Sequence, residues 1–198
     1  MNAPDPQPPT AAVVIGASVG AIEALLSILP MLPAHYPFPV LVVVHVPPDR
    51  KSALAELFAP RCKIAVKEAD DKEVLCAGTL YFAPADYHLL VEPDFTISLS
   101  NDEPVHFSRP AIDVLFQSAA DAFGSDLTGV ILTGASSDGA LGLQAICANG
   151  GCALIQDPNT AEGETMPRAA IASCPNARVL RLEEVASFLN SESMLMPR

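Results

Sequence analysis

Tryptophan is absent from this chain, and aromatic residues make up only 6% of its 198 positions. The core must therefore be built mostly from aliphatic side chains, and half of the residues are hydrophobic. Charged residues are also few, at 17%. That balance excludes an intrinsically disordered chain, which cannot bury enough apolar surface to offset the entropy of ordering. Cations are scarcest of all. Eleven Lys plus Arg face 23 Asp plus Glu, a formal net charge of −12, the wrong sign for displacing counterions from a phosphate backbone. Nucleic acid is not expected as a partner. No C-x-x-C pair occurs among the five cysteines, Cys62, Cys76, Cys147, Cys152 and Cys174, which sit scattered in apolar settings. Their number and spacing argue against a disulfide framework or a zinc site, so reduced core thiols are expected. Long apolar runs are missing too: the uncharged stretch Thr10 to Ile22 ends at Glu23, short of the roughly 20 residues that a membrane span needs. The opening MNAPDPQPPT has no positively charged start, so no secretory signal is read and a cytoplasmic location is expected.

What is present points to one domain, the size being ordinary for a single unit. Residues 1–10, with four prolines, read as a flexible arm, and residues 11–198 as the folded domain. Short apolar runs alternate with segments of helical period, the pattern of an α/β fold: a doubly wound, mainly parallel sheet with helices on both faces. AAVVIG is the first strand and residues 19–31 the first helix, with Ile22, Leu25, Leu26 and Leu29 at helical spacing. FPVLVVVHV is a strand whose unbroken β-branched run suits burial on both faces. A helix over residues 51–58 and a strand over 63–67 follow. TLYFAP, DYHLLVE and FTISLS read as an antiparallel excursion with a Pro-Asp hairpin turn. The segment RPAIDVLFQSAADAF is a helix with Ser108 as N-cap candidate and Pro110 in its first turn. TGVILTG is a strand, DGALGLQAICANGG a helix and CALIQD a strand; a helix over 167–173, the strand ARVLRL and the helix EEVASFL close the domain.

Three polar residues share a place in this scheme. Ser18 follows the first strand, His45 ends the second, and Asp138 lies in the loop after TGVILTG. Carboxyl ends of parallel strands share one edge of a sheet, where ligands bind. Ser18 sits in Gly16-Ala17-Ser18-Val19-Gly20, a G-x-S-x-G between strand and helix, the context of a nucleophile elbow. The Val19 amide, at the start of that helix, is a candidate oxyanion donor. His45 is the candidate base, with Pro47 and Pro48 stopping its strand, and Asp138 can orient the imidazole by accepting from Nδ1–H. Each has a plainer reading taken singly: a glycine-rich turn, a packed strand histidine, and an N-cap for the helix DGALGLQAI. Asp113 and Asp157 are rival acids. His35, His88 and His106 fall in loops or the hairpin, where structural or surface roles are expected.

The main competing reading uses the glycines of GASVG and TGASSDG to cradle phosphate. Its fingerprint is incomplete, since G-x-G-x-x-G fails and a P-loop lysine is absent. No ligand spacing for a metal is recognised.

With these residues in view, the sequence resembles the catalytic domain of the CheB-type chemotaxis protein-glutamate methylesterases from residue 13 to about 189. The blocks that carry the resemblance are IGASVG, VVVHVPP, YFAPADYHLLVE, RPAIDVLFQSAA, VILTGASSDGALG and IQDPNTAEGETMPRAAI. The resemblance implies a Ser-His-Asp hydrolase, with Ser18 as nucleophile, His45 as general base and acid and Asp138 as orienting carboxylate. Its substrates would be glutamyl methyl esters on chemoreceptor cytoplasmic helices, releasing methanol, with glutamine deamidation as a companion activity. It needs no cofactor and no metal. It also suggests the backbone amide of Ala135 as a second oxyanion donor, and Arg109 and Arg168 as contacts for receptor carboxylates. Two departures from the family pattern stand close to these groups: Ala21 for a second glycine, and Ala135-Ser136 for Met-Gly, where Ser136 would be strained if a positive φ were required. The receiver domain typical of the family has no counterpart here, so a stand-alone domain is expected. The alternative from another class is a non-catalytic binding module of a chemosensory system.

Overall fold

The computed structural model describes residues 9–45 and 53–191. The expected arm, apart from its last two residues, the Pro47-Pro48 strand stop, the first two residues of the expected second helix and the last seven residues of the chain lie outside the described residues.

Seven strands form one parallel sheet: β1 (Ala12–Ala17), β2 (Val40–Val44), β3 (Ala65–Glu68), β4 (Thr79–Phe82), β7 (Leu127–Ile131), β8 (Cys152–Gln156) and β9 (Arg178–Leu180), in the order β3-β4-β2-β1-β7-β8-β9. Strands β5 (His88–Val91) and β6 (Ile97–Ser100) pair antiparallel as a separate hairpin. This is the doubly wound architecture that the sequence predicts, with one difference. TLYF belongs to the parallel sheet, between β3 and β2, rather than to the antiparallel excursion. Its side chains are largely buried, which suits a strand covered on both faces.

Alternation sorts the side chains of β1 to two faces. Ala12 and Val14 pack with α3 (Ile112–Phe123), α4 (Ala140–Ala148) and α5 (Thr165–Ser173); Val13, Ile15 and Ala17 pack with α1 (Ala21–Ile28), α2 (Leu54–Phe58) and α6 (Leu182–Leu189). The first helix is shorter than its period suggests. Gly20, at φ 77°, makes a left-handed turn before α1, and Pro30 sits in the single 3₁₀ turn that follows it.

One expectation is overturned. Cys147 and Cys174 are joined in a disulfide, with Cα atoms 6.8 Å apart, while Cys62 and Cys76 are free thiols. Spacing along the chain hides this pair, because the two cysteines meet only when the C-terminal ends of α4 and α5 pack side by side. The bridge closes a loop over a separation of 27 residues, for which chain entropy gives about 3.5 kcal/mol. Reduction with dithiothreitol should therefore lower the thermal midpoint by roughly 7–14 °C, and a Cys147→Ala variant should show the low midpoint with or without reductant. Differential scanning calorimetry checks this.

Candidate active site

The sheet reverses its winding at β1: the chain runs outward from β1 to β2 on one side, and through β7, β8 and β9 on the other. Ser18, His45 and Asp138 all lie just beyond the carboxyl ends of β1, β2 and β7, three adjacent strands at that switch point. Hydrogen bonds continue the ladder past the strands and hold two of these backbones in place. The Ser18 amide donates to Thr133 O at 2.9 Å, and the His45 amide donates to Ala17 O at 3.2 Å. The turn after Ser18 closes when the Ala21 amide donates to Ser18 O at 3.0 Å.

His45 and Asp138 meet at 2.7 Å, but through Nε2 and Oδ2 rather than through Nδ1 as the sequence reading has it. The sheet order explains the exchange of nitrogens. The aspartate stands two strands from His45, and the distal nitrogen makes that reach, so Asp138 leaves Nδ1 unengaged. No hydrogen bond joins Ser18 Oγ to His45 among the described residues. Such contacts are commonly long without substrate and tighten in the complex.

Asp138 is completely buried, so its charge needs compensation. Besides His45, its Oδ2 accepts from the Ile112 amide at 2.7 Å and its Oδ1 from the Asp113 amide at 2.9 Å. The first amides of α3 are thus satisfied by an acid from another loop. Neither Ser108 nor the N-cap residue, Ala111, does so from its own side chain. The place of Asp138 before α4 also suits an N-cap for that helix, but the task falls to Asp113, whose Oδ1 accepts from the Gly142 amide at 2.6 Å. Each helix is capped by the aspartate that belongs to the other. Burial pushes the Asp138 carboxyl up, yet the bonds from His45 and the two amides outweigh it and hold the group below its ordinary value.

Asp113 is held the other way. Burial raises its carboxyl most, the Gly142 amide opposes this, and the neighbouring charge of Asp138 adds to the rise. Its Oδ2 has no hydrogen-bond partner, although His106 Nε2 lies 3.3 Å away. An amide at this position keeps an acceptor for Gly142 and removes the buried charge, its NH₂ taking the place that faces His106 Nε2. Asp113→Asn should raise the thermal midpoint at pH 8 by about 2–4 °C, equivalent to about 1 kcal/mol. Because the folded value of Asp113 lies above the unfolded one, its cost is fully present above the folded value and fades as pH falls through it. The advantage of the variant should therefore shrink in acid, which thermal scans from pH 8 to pH 4 would show.

The candidate oxyanion donors are open. Among the described residues neither the Val19 nor the Ala135 amide donates to a protein acceptor, and Ala135 is exposed. Ser136 is not among the residues with positive φ, so no strain arises there from the absence of glycine. Sequence reasoning missed the groups that hold this region together. The Thr133 amide donates to Gln156 Oε1 at 2.9 Å, and its Oγ1 donates to Val19 O at 2.8 Å while accepting from Gly163 N at 2.8 Å. Gly134 N in turn donates to Gly163 O at 2.9 Å. The one signal in the chain was Gln156, a buried amide ending an otherwise apolar strand.

The two arginines are committed elsewhere. Arg109 donates from Nε to Asp86 at 3.0 Å and from Nη1 to the carbonyls of Asn101 and Asp102; Arg168 pairs with Glu164 one turn away. His88 is buried, accepting from Ala111 N at Nδ1 with Nε2 against Glu103 O, and Asp157 caps a turn at Asn159, both structural as expected. Among the described residues no three His, Cys, Asp or Glu side chains are placed to hold a metal ion, and no helix is long and apolar enough to cross a membrane.

A profile described as CheB methylesterase matches residues 13–189, nearly the whole described chain. The chain belongs to the CheB methylesterase family. A provisionally named protein-glutamate methylesterase/protein-glutamine glutaminase of Leptospira interrogans is 47% identical over 177 residues, 89% of this chain and 92% of that one. The protein-glutamate methylesterase/protein-glutamine glutaminase of Symbiobacterium thermophilum is 38% identical over 181 residues, 91% of this chain but half of that longer protein. Among solved structures, the Thermotoga maritima CheB methylesterase catalytic domain superposes with a TM-score of 0.86 at 32% identity, covering 90% of this chain and 96% of that one. The CheB fold, a parallel sheet with helices plus a two-stranded antiparallel sheet, is the fold of this chain.

Proposed function

We propose that this CheB-family domain hydrolyses glutamyl methyl esters on the cytoplasmic helices of chemoreceptors and deamidates glutamines at such positions, using Ser18, His45 and Asp138. The observation that carries the reading is the convergence of these three groups at the ends of three adjacent strands, beside two amides with no acceptor among the described residues. The names of the relatives supply the substrate class.

In this mechanism Ser18 Oγ attacks the ester carbonyl carbon while its proton passes to His45 Nδ1. The carbonyl oxygen becomes an oxyanion and accepts from the Val19 and Ala135 amides. The imidazolium that forms is stabilised by Asp138, whose carboxylate stays ionised because three donors already hold its charge. As the C–O bond to the methoxy group breaks, His45 returns the proton and methanol leaves. A water molecule, deprotonated by His45, then attacks the acyl-enzyme carbonyl; the C–O bond to Ser18 breaks, His45 returns the proton to Ser18 Oγ, and the glutamate leaves. A glutamine follows the same course with ammonia as leaving group. The location that suits this substrate is the cytoplasm.

The test is methanol release from a methylated chemoreceptor cytoplasmic fragment. Release proportional to enzyme, and lost in Ser18→Ala, is the expected result. A well-folded protein that releases none from several receptors would end the esterase reading in favour of a binding module.

A further inference from the structure

The loop that staples the oxyanion strand carries an acid that nothing in the mechanism uses. Glu162 is exposed, and among the described residues it has no ion-pair partner. Its carboxylate lies over the nucleophile turn: a Cβ placed on Gly20 would stand 2.8 Å from Glu162 Oε2 and 2.8 Å from Glu162 Cβ. Gly20 is two residues from Ser18 and next to Val19. The position is not one a loose loop would take by chance. Gly163 is bonded through both its amide and its carbonyl to Thr133 and Gly134, and a Cβ on Gly163 would meet the Gly134 backbone at 2.7 Å. Thr133 in turn holds Val19 O. Glu162 is thus fastened to the rim of the site by the same contacts that shape the oxyanion strand.

Among the described residues no cation pairs with it. Arg168, on the next helix, is paired with Glu164, and the Arg109 guanidinium is taken by Asp86 and two carbonyls. The chain as a whole carries −12, which draws cations toward it and repels acidic segments. A carboxylate on a backbone held at the edge of a site that develops negative charge also disfavours the oxyanion, unless the substrate brings a cation of its own.

We propose that Glu162 is a specificity-determining residue, receiving a lysine or arginine that lies one helical turn from the esterified glutamate of the substrate. This rests on the esterase reading above. The preference is for ester-bearing helices with a basic neighbour over those with an acidic neighbour at the same place, and the spacing of one turn puts both side chains on one face.

Two helical peptides carrying one glutamyl methyl ester, identical except for Lys or Glu four residues away, test it. The expected kcat/KM ratio is about five-fold in favour of the lysine peptide at low salt, falling toward one in 0.5 M salt and in Glu162→Gln. A ratio near one in the unaltered protein, or one that Glu162→Gln leaves unchanged, overturns the proposal. Binding of the same two peptides to the Ser18→Ala protein gives a second measure that needs no turnover. The lysine peptide should bind tighter there, with the preference gone in the Ser18→Ala, Glu162→Gln double variant. Equal binding overturns the proposal. Turnover of neither peptide, with the binding preference intact, would instead count against the esterase reading alone.

Discussion

Asp138→Asn should lower kcat by about 10⁴ and lower the thermal midpoint in the same protein. The catalytic part follows from charge: an amide does not stabilise the imidazolium of His45 as a carboxylate does. The stability part follows from the hydrogen bonds. Asp138 accepts from His45 and Ile112 at one oxygen and from Asp113 at the other. An asparagine has a single acceptor oxygen, so its NH₂ must face a buried donor on one side, at a cost of about 2 kcal/mol. That corresponds to a fall of roughly 4–8 °C for a chain of this size. The variant should also lose part of the acid sensitivity of the fold. The folded value of Asp138 lies below the unfolded one, so its contribution is present above the unfolded value, near 3.9, and disappears as pH falls through the folded value. An unaltered midpoint in Asp138→Asn would contradict the helix-cap role, and unaltered turnover the catalytic one.

Ser18→Ala should give the larger loss of turnover, about 10⁴–10⁶ in kcat, with the midpoint unchanged within about 1 °C. Ser18 Oγ makes no hydrogen bond among the described residues, and the backbone contacts of Ser18 through its amide and carbonyl do not depend on its side chain. The pair of variants therefore separates chemistry from architecture: activity is lost in both, stability in only one. Methanol release and calorimetry on the same preparations would show whether the two effects part in this way.

The parallel strands that carry the site were legible because β1, β2 and β7 are buried on both faces and read as continuous apolar runs. Strand β4 was harder, since its four residues stand close in sequence to the true hairpin and share its aromatic and β-branched character. The three polar residues at the strand ends were legible from topology alone, because parallel strands bring their carboxyl ends to one edge. The ring nitrogen that meets Asp138 was not, as it depends on which strands lie between. The crossed caps were hidden as well. Local sequence proposes a cap within a few residues of its helix, whereas Asp138 and Asp113 cap helices that start elsewhere in the chain. The disulfide was concealed for the same reason, its partners meeting only at two helix ends. Glu162 carried no signal at all until Gly163 was seen fastened beneath it.

The crossed caps between α3 and α4 change what each residue of the site can tell about descent. A copy of this domain that drifted from catalysis to binding would face no folding penalty for discarding Ser18, but would still need a carboxylate at 138 to close the start of α3. Its aspartate would outlive its function. In related chains, then, an intact Asp138 records only that the fold is kept, and the serine is the letter that records whether the enzyme is still at work.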